Sequence, residues 1–206
     1  MVRLLLCLLA SGLLCEAVAA AKPKPKAKKQ GTEITLNVLP FPMAPSEGVF
    51  LDVRDAGNDV SSGHSANTTW TGDVVIKNSK KRDKSLEIVV RNSGGEAKSA
   101  TLQWFFVSLG AADGEKQIFD RGTKDLELAP TSSQSNTVTS KELQSTQISR
   151  NGEAQAKGRK IYGWIVRLLD DDDKVIAQKC SDGMLEAVTR DAAKLQKLQS
   201  PRGLSN

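Results

Sequence analysis

Few side chains in this sequence can do chemistry, and they are scattered. His64 is the only histidine among 206 residues, so acid–base catalysis through imidazole would rest on one side chain. The stretch Gly63-His64-Ser65-Ala66-Asn67 comes near the turn that exposes a hydrolase serine, but Asn67 stands where the second glycine belongs. No strand-to-helix pattern surrounds it, and it reads as loop. The run Asp170-Asp171-Asp172-Asp173 offers hard oxygen ligands that suit calcium. It lacks the alternate-residue spacing and the glycine of a calcium loop, and reads as a solvated hairpin tip. The 16 glycines form neither of the phosphate-cradling patterns. No catalytic residue, metal ligand or cofactor is expected.

Stacking on sugar rings is the chemistry that remains open. Trp70, Phe105 and Tyr162 are the candidate contacts for a glycan or a protein partner. Trp104, Phe106 and Trp164 fall in alternating apolar strands, where aromatic side chains fill sandwich cores. Asn67-Thr68-Thr69 fits the N-glycosylation pattern, which has meaning only in a eukaryotic secretory pathway.

The N-terminus supplies an address. Residues 1–21 have the three parts of a secretory signal: Arg3, an apolar run over 4–14, and the small residues Ala17-Val18-Ala19-Ala20-Ala21. The apolar run is too short for a bilayer, which needs about 20 residues. Cleavage is expected near Ala19 to Ala21, leaving an extracytoplasmic chain, periplasmic or secreted and not membrane-spanning. Leu13-Leu14 before Cys15 and Leu5-Leu6 before Cys7 do not make a lipidation signal. Removing Cys7 and Cys15 leaves Cys180 alone, so no intrachain disulfide can form. A lone thiol in an oxidising compartment is either sequestered or joins two chains, and its position before a helix cap predicts a buried, unreactive one.

The formal net charge of +5 resides in the tail. Lys22, Lys24, Lys26, Lys28 and Lys29 alternate with prolines over 22–31, an extended linker and a candidate contact for an anionic surface. From Gln30 onward, 23 basic residues face 23 acidic ones, so no nucleic-acid partner is expected.

The elements that must position these residues are short strands. Residues 32–39 and 49–53 read as strands, 55–69 as a mobile loop, 70–77 as a strand and 78–84 as a polar turn. Leu86, Ile88 and Val90 alternate with polar neighbours, Asn92-Ser93-Gly94-Gly95 can reverse the chain, and Leu102, Trp104 and Phe106 line a return strand. This pattern predicts a β-hairpin. Shorter strands are expected over 116–121, 126–128 and 136–139, with a second pair at 161–169 and 174–179. Phe105, Val107 and Ile165 are apolar on the opposite face from Trp104, Phe106 and Trp164, so that sheet must be covered on both sides. The expected cover is one amphipathic helix, capped by Ser181 or Asp182, with Met184, Leu185, Val188, Leu195 and Leu198 at helical spacing. Failing that, residues 41–50 would cover it.

The stretches LEIVVRNSGGEAKSATLQWFFV, LELAPTSSQSNTVT and GWIVRLLDDDDKVIAQ resemble the bacterial immunoglobulin-like or fibronectin-III-like modules over residues 86–178. The antibody-type cysteine pair is absent, and strands precede residue 85 that such a module does not need. The resemblance implies an adhesive, spacer or partner-binding role and carries over no catalytic residue. The expected organisation is an all-β, immunoglobulin-like antiparallel β-sandwich over 32–181 with extra N-terminal strands, one C-terminal helix over 182–199 and a tail over 200–206. The expected function is a non-catalytic interaction or scaffold module whose partner is a protein or cell-envelope component. The alternative is a glycan-binding or accessory module of a carbohydrate-active envelope system, distinguished by solvent exposure of Trp70 and Phe105.

Overall fold

A computed structural model describes residues 34, 36–38, 48–68 and 74–200. The signal, the Lys/Pro linker, Trp70 and the tail beyond Ser200 lie outside the described residues. The fold is all-β with two short C-terminal helices, and its two antiparallel sheets pack as a sandwich. One sheet has three strands in the order β1 (Val49–Gly57), β4 (Ser85–Asn92), β7 (Ser133–Thr139). The other runs β2 (Val60–Thr68), β3 (Val74–Arg82), β8 (Leu143–Arg150), β9 (Glu153–Leu169), β5 (Lys98–Gly110), β6 (Lys116–Leu128). Strand β10 (Val175–Cys180) pairs with β9.

The expected hairpin at 85–107 does not form. β4 pairs with β1 and β7, while β5 pairs with β6 and β9, so the chain crosses from one sheet to the other between them. Leu86, Ile88 and Val90 then meet Leu102 and Phe106 across the core instead of beside them, all fully buried. Alternation is the same whether two strands lie side by side or face to face, because both arrangements send the apolar set inward. Buried Asn92 fixes the crossing: its amide donates to the carbonyls of Glu96, Leu128 and Ala129, and its Oδ1 accepts from Gly94 N–H at 2.9 Å. An asparagine so placed satisfies backbone groups that a strand ladder would otherwise satisfy.

The β9–β10 pair forms as expected. Residues 116–128 make one strand where two were expected, and β8, with its polar sequence LQSTQISR, carried no strand signal. Over 55–68, the described part of the expected loop at 55–69, the chain is mostly strand. β1 and β2 are two halves of one bent strand, as are β3 with β4 and β7 with β8. The β1–β4 register ends at Gly57 opposite Ser85, and the β2–β3 register resumes at Val60 opposite Arg82. Nothing apolar is needed to continue the ladder outward once the inner half is anchored, because backbone hydrogen bonds extend it. The bend is pinned by Asp83 accepting from Asp59 N–H at 3.0 Å, by Ser140 Oγ accepting from Lys84 N–H at 3.0 Å, and by the Lys84–Asp55 ion pair. The Lys84 ammonium holds the Asp55 carboxyl below its ordinary range.

The far face of the larger sheet is covered, as its two-sided apolar pattern required. Phe105, Val107 and Ile165 are fully buried against Leu185, Val188, Leu195 and Leu198. Two helices supply that cover, α1 (Gly183–Thr189) and α2 (Ala192–Gln199), where one was expected. Asp182 caps α1, accepting from Leu185 N–H, and Asp191 caps α2, accepting from Lys194 N–H. The second cap, with extended backbone at φ −115 and ψ 110, breaks the helical run.

The described part of 32–39 belongs to no strand; side chains hold its backbone. Gln199 brackets Leu36, accepting from its N–H at 3.1 Å and donating to its carbonyl at 2.8 Å. Arg121 donates to the carbonyl of Ile34 at 2.8 Å, and Arg167 donates to that of Asn37. Leu36 plugs the helix-covered core at 1% exposure. Leu36→Ala is therefore expected to lower stability by about 2–4 kcal/mol in urea unfolding. Deleting residues 22–30 is expected to leave the same curve unmoved, because their Lys, Pro, Ala and Gln side chains offer little apolar surface to a core.

Candidate cationic groove

Of the three residues nominated by the sequence, the two that the structure describes do not make a stacking platform. Trp70 lies outside the described residues. Phe105 is fully buried in the helix-covered core, which removes it as a contact for glycan or partner. It sits one residue from Trp104 and Phe106 in β5, and the pleat sends it to the face that α1 and α2 close. Tyr162 stays half-buried at the position where the β5–β9 register slips, between Ile161 and Gly163. Its hydroxyl donates to Met184 Sδ at 3.4 Å, and the Lys116 ammonium lies 4.9 Å from its ring centre. Burial first, then the Asp182 carboxylate, pushes the phenol above its ordinary range. Tyr162 thus serves the packing of α1 on the sheet. Trp104 and Trp164 are half-buried against the core between the sheets.

His64 lies in β2, exposed, with its Nδ1 2.6 Å from Asn78 Oδ1 on the neighbouring strand. No acid or nucleophile completes an acid–base pair with it among the described residues. The acidic run forms the β9–β10 turn, where Asp170 accepts from the N–H groups of Asp172 and Lys174, both at 2.9 Å. Among the described residues no three His, Cys, Asp or Glu side chains gather to hold a metal ion. No helix among them is long and apolar enough to cross a membrane.

The bend in the long ribbon creates a feature that the sequence did not announce. Beyond it, β2, β3, β8 and the first third of β9 form a sheet whose β2 strand is exposed along its whole length. Register decides which side chains share a face. Asn78 stands opposite His64 and Gln147, Lys80 opposite Ser62 and Ser145, Arg82 opposite Val60 and Leu143. On that face a groove of about 630 Å³ opens between the sheet and the β5–β6 turn at Gly110, Ala111 and Gly114. Lys80, Arg82 and Lys160 line it, with Asn78, Ser145 and Gln147 between them, and no carboxylate lines it. Lys80 stands on β3 opposite Ser145, which stands opposite Gly158 of β9, and Lys160 follows two residues beyond Gly158, where β9 has left β8 to pair with β5.

The charges in the groove are available. Lys80, Arg82 and Lys160 make no ion pair among the described residues, and Arg82 Nε is buried with no hydrogen-bond partner. Lys81, on the other face, pairs with Glu142 at 2.9 Å. Asp113 in the nearby turn is engaged by the N–H of Glu115 at 2.9 Å and does not line the groove. Gly158 lets β9 pass from this extension into the core sheet: its φ is +85, and a Cβ there would meet the Gln144 carbonyl oxygen at 2.3 Å. The chain-wide balance of charge from Gln30 onward therefore conceals segregation, with basic residues on the extension and the Asp170 to Asp173 run on the β9–β10 turn. A signal was present in Lys80 and Arg82 at alternate positions. Lys160 is a far-off position in sequence, joined to them only through pairings that run β3 to β8 to β9.

No family profile and no curated protein sequence matches this chain. Among solved structures it is similar to a protein from Akkermansia muciniphila, at 11% identity over 75% of this chain and 78% of that one, with a TM-score of 0.29. It is also similar to a Northeast Structural Genomics Consortium target, at 12% identity over 58% of this chain and 87% of that one, with a TM-score of 0.26. A β-glucosidase from Kluyveromyces marxianus matches at 12% identity over 64% of this chain and 14% of the enzyme, with a TM-score of 0.27.

Proposed function

We propose that the chain is a non-catalytic, extracytoplasmic interaction module, an immunoglobulin-like sandwich whose binding surface is the projecting sheet of β2, β3, β8 and the start of β9. The observation that carries this reading is that sheet's exposure. β2 contributes no residue to either core, and β3 buries no side chain fully. A sheet with one or both faces in water gains little from burial and is retained for what it presents. The secretion signal read from residues 1–21 supports the compartment.

The test is photo-crosslinking from single positions on the mature chain, mixed with an extract of its own cell envelope. A crosslinker at Ser62 or Lys80 is expected to capture a partner, and one at Thr137, exposed on the edge of the three-stranded sheet, is expected to capture none. Capture from Thr137 alone would assign the binding surface to the other sheet and overturn the proposal.

A further inference from the structure

We infer that the groove bounded by Lys80, Arg82 and Lys160 binds an anionic polysaccharide, with a sulfate or carboxylate seated between the lysines and sugar hydroxyls on the amides and hydroxyl around it. This names the ligand class of the surface proposed above and rests on that reading. Three cations converge on a concave surface with no carboxylate lining it, so a positive potential is focused where an anion would sit. Arg82 Nε is removed from water without a partner, a position that an accepting oxygen would satisfy.

The lining between the charges selects the class. Asn78, Ser145 and Gln147 can each donate and accept, which suits hydroxyl groups that do both. No aromatic ring lines the groove, so bases would find no stacking surface there. Side-chain pockets of the kind that read an extended peptide are also missing, since the apolar lining is limited to Leu109, Ala111 and Ala156. A hydroxyl-rich chain with periodic negative charge fits a groove whose lining alternates three cations with amide and hydroxyl groups.

Isothermal titration calorimetry on the full mature chain tests this with a heparin octasaccharide, an oligogalacturonate, neutral dextran and a polyglutamate peptide. Lys80→Glu/Lys160→Glu is compared with Lys77→Glu/Lys157→Glu, which makes the same change of charge on the opposite face. The lysines of residues 22–29 are common to all three proteins, so the comparison isolates the groove. Heparin and oligogalacturonate are expected to bind the wild type, more weakly as salt is raised, and dextran is not. The groove variant is expected to lose at least about tenfold in affinity and the opposite-face variant less than about threefold. Equal losses in the two variants would mean attraction by net charge alone, and tighter binding of polyglutamate would assign the groove to an acidic protein segment; either overturns the inference. No binding of either polysaccharide, with crosslinks from Ser62 persisting, would discard the glycan while keeping the interaction surface. Loss of both would discard the two together.

Discussion

Cys180 is expected to be alkylated by iodoacetamide at pH 8 about a thousandfold more slowly than a free cysteine, because so little of it is thiolate. The side chain is half-buried, not fully buried as its place before the helix cap suggested, and packs against the helix-covered core. Burial is the main cause pushing the thiol from its ordinary 9.0 up to about 12, and the Glu186 and Asp182 carboxylates push the same way. Arg167 and Arg190 oppose them without prevailing. Below pH 9 the folded and unfolded chains both hold the proton, and the stability linked to it is fully present. Between pH 9 and about 12 the unfolded chain ionises first, so this contribution falls as pH rises. Cys180→Ala should lower stability by about 1 kcal/mol at pH 7 through lost packing and remove that slope above pH 9. Labelling within tenfold of a free cysteine, or a reductant-sensitive dimer on a gel, would refute the sequestered thiol and make Cys180 a link between chains.

The same corner shows what the sequence could and could not convey. Phe105, Val107 and Ile165 alternate against Trp104, Phe106 and Trp164, and that two-sided apolar pattern correctly required a cover on the far face of the sheet. The helical spacing of Leu185, Val188, Leu195 and Leu198 correctly supplied it. The break at Asp191 was missed because an acidic residue inside a periodic run is equally compatible with a solvated helix face and with a second cap. The arrangement of strands was harder to read. Leu86, Ile88 and Val90 mark a buried face but say nothing of whether Leu102 and Phe106 lie beside them or across the core. The β2 sequence VSSGHSANT has no apolar alternation, since its pairing is inherited from β1, whose register shifts once between Asp55 and Gly57 and then carries across the bend. The groove followed the same rule: each of its cations is an ordinary surface residue until the pairing of β3, β8 and β9 brings Lys80, Arg82 and Lys160 to one groove.

Arg167→Ala is expected to destabilise the fold by about 3–5 kcal/mol, the largest loss among the single substitutions considered. Its signal in the sequence was one charge inside the apolar run Trp164-Ile165-Val166-Arg167-Leu168-Leu169. At 1% exposure the guanidinium donates to Gln178 Oε1 at 2.6 Å and to the carbonyl of Asn37, and its Nη2 is buried with no hydrogen-bond partner. Gln178 in turn donates to Thr189 Oγ1 at 2.9 Å, so one network ties β9 and β10 to α1 and to the segment that carries Leu36. No carboxylate bonds the guanidinium among the described residues, and loss of water lowers its pKa from the ordinary guanidinium range to about 10. The charge is thus a liability, while the bonds it makes are not. Arg167→Ala leaves both a cavity and two unsatisfied acceptors. Arg167→Met fills the cavity but still orphans Gln178 and the Asn37 carbonyl, and Arg167→Met/Gln178→Leu leaves only that carbonyl, on an exposed residue that water can reach. In urea unfolding the stabilities should therefore rank with the alanine variant lowest, the methionine variant intermediate and the double variant within about 1 kcal/mol of wild type. A double variant as unstable as Arg167→Ala would show that the buried charge itself, through its hold on the Asn37 carbonyl, secures the N-terminal segment.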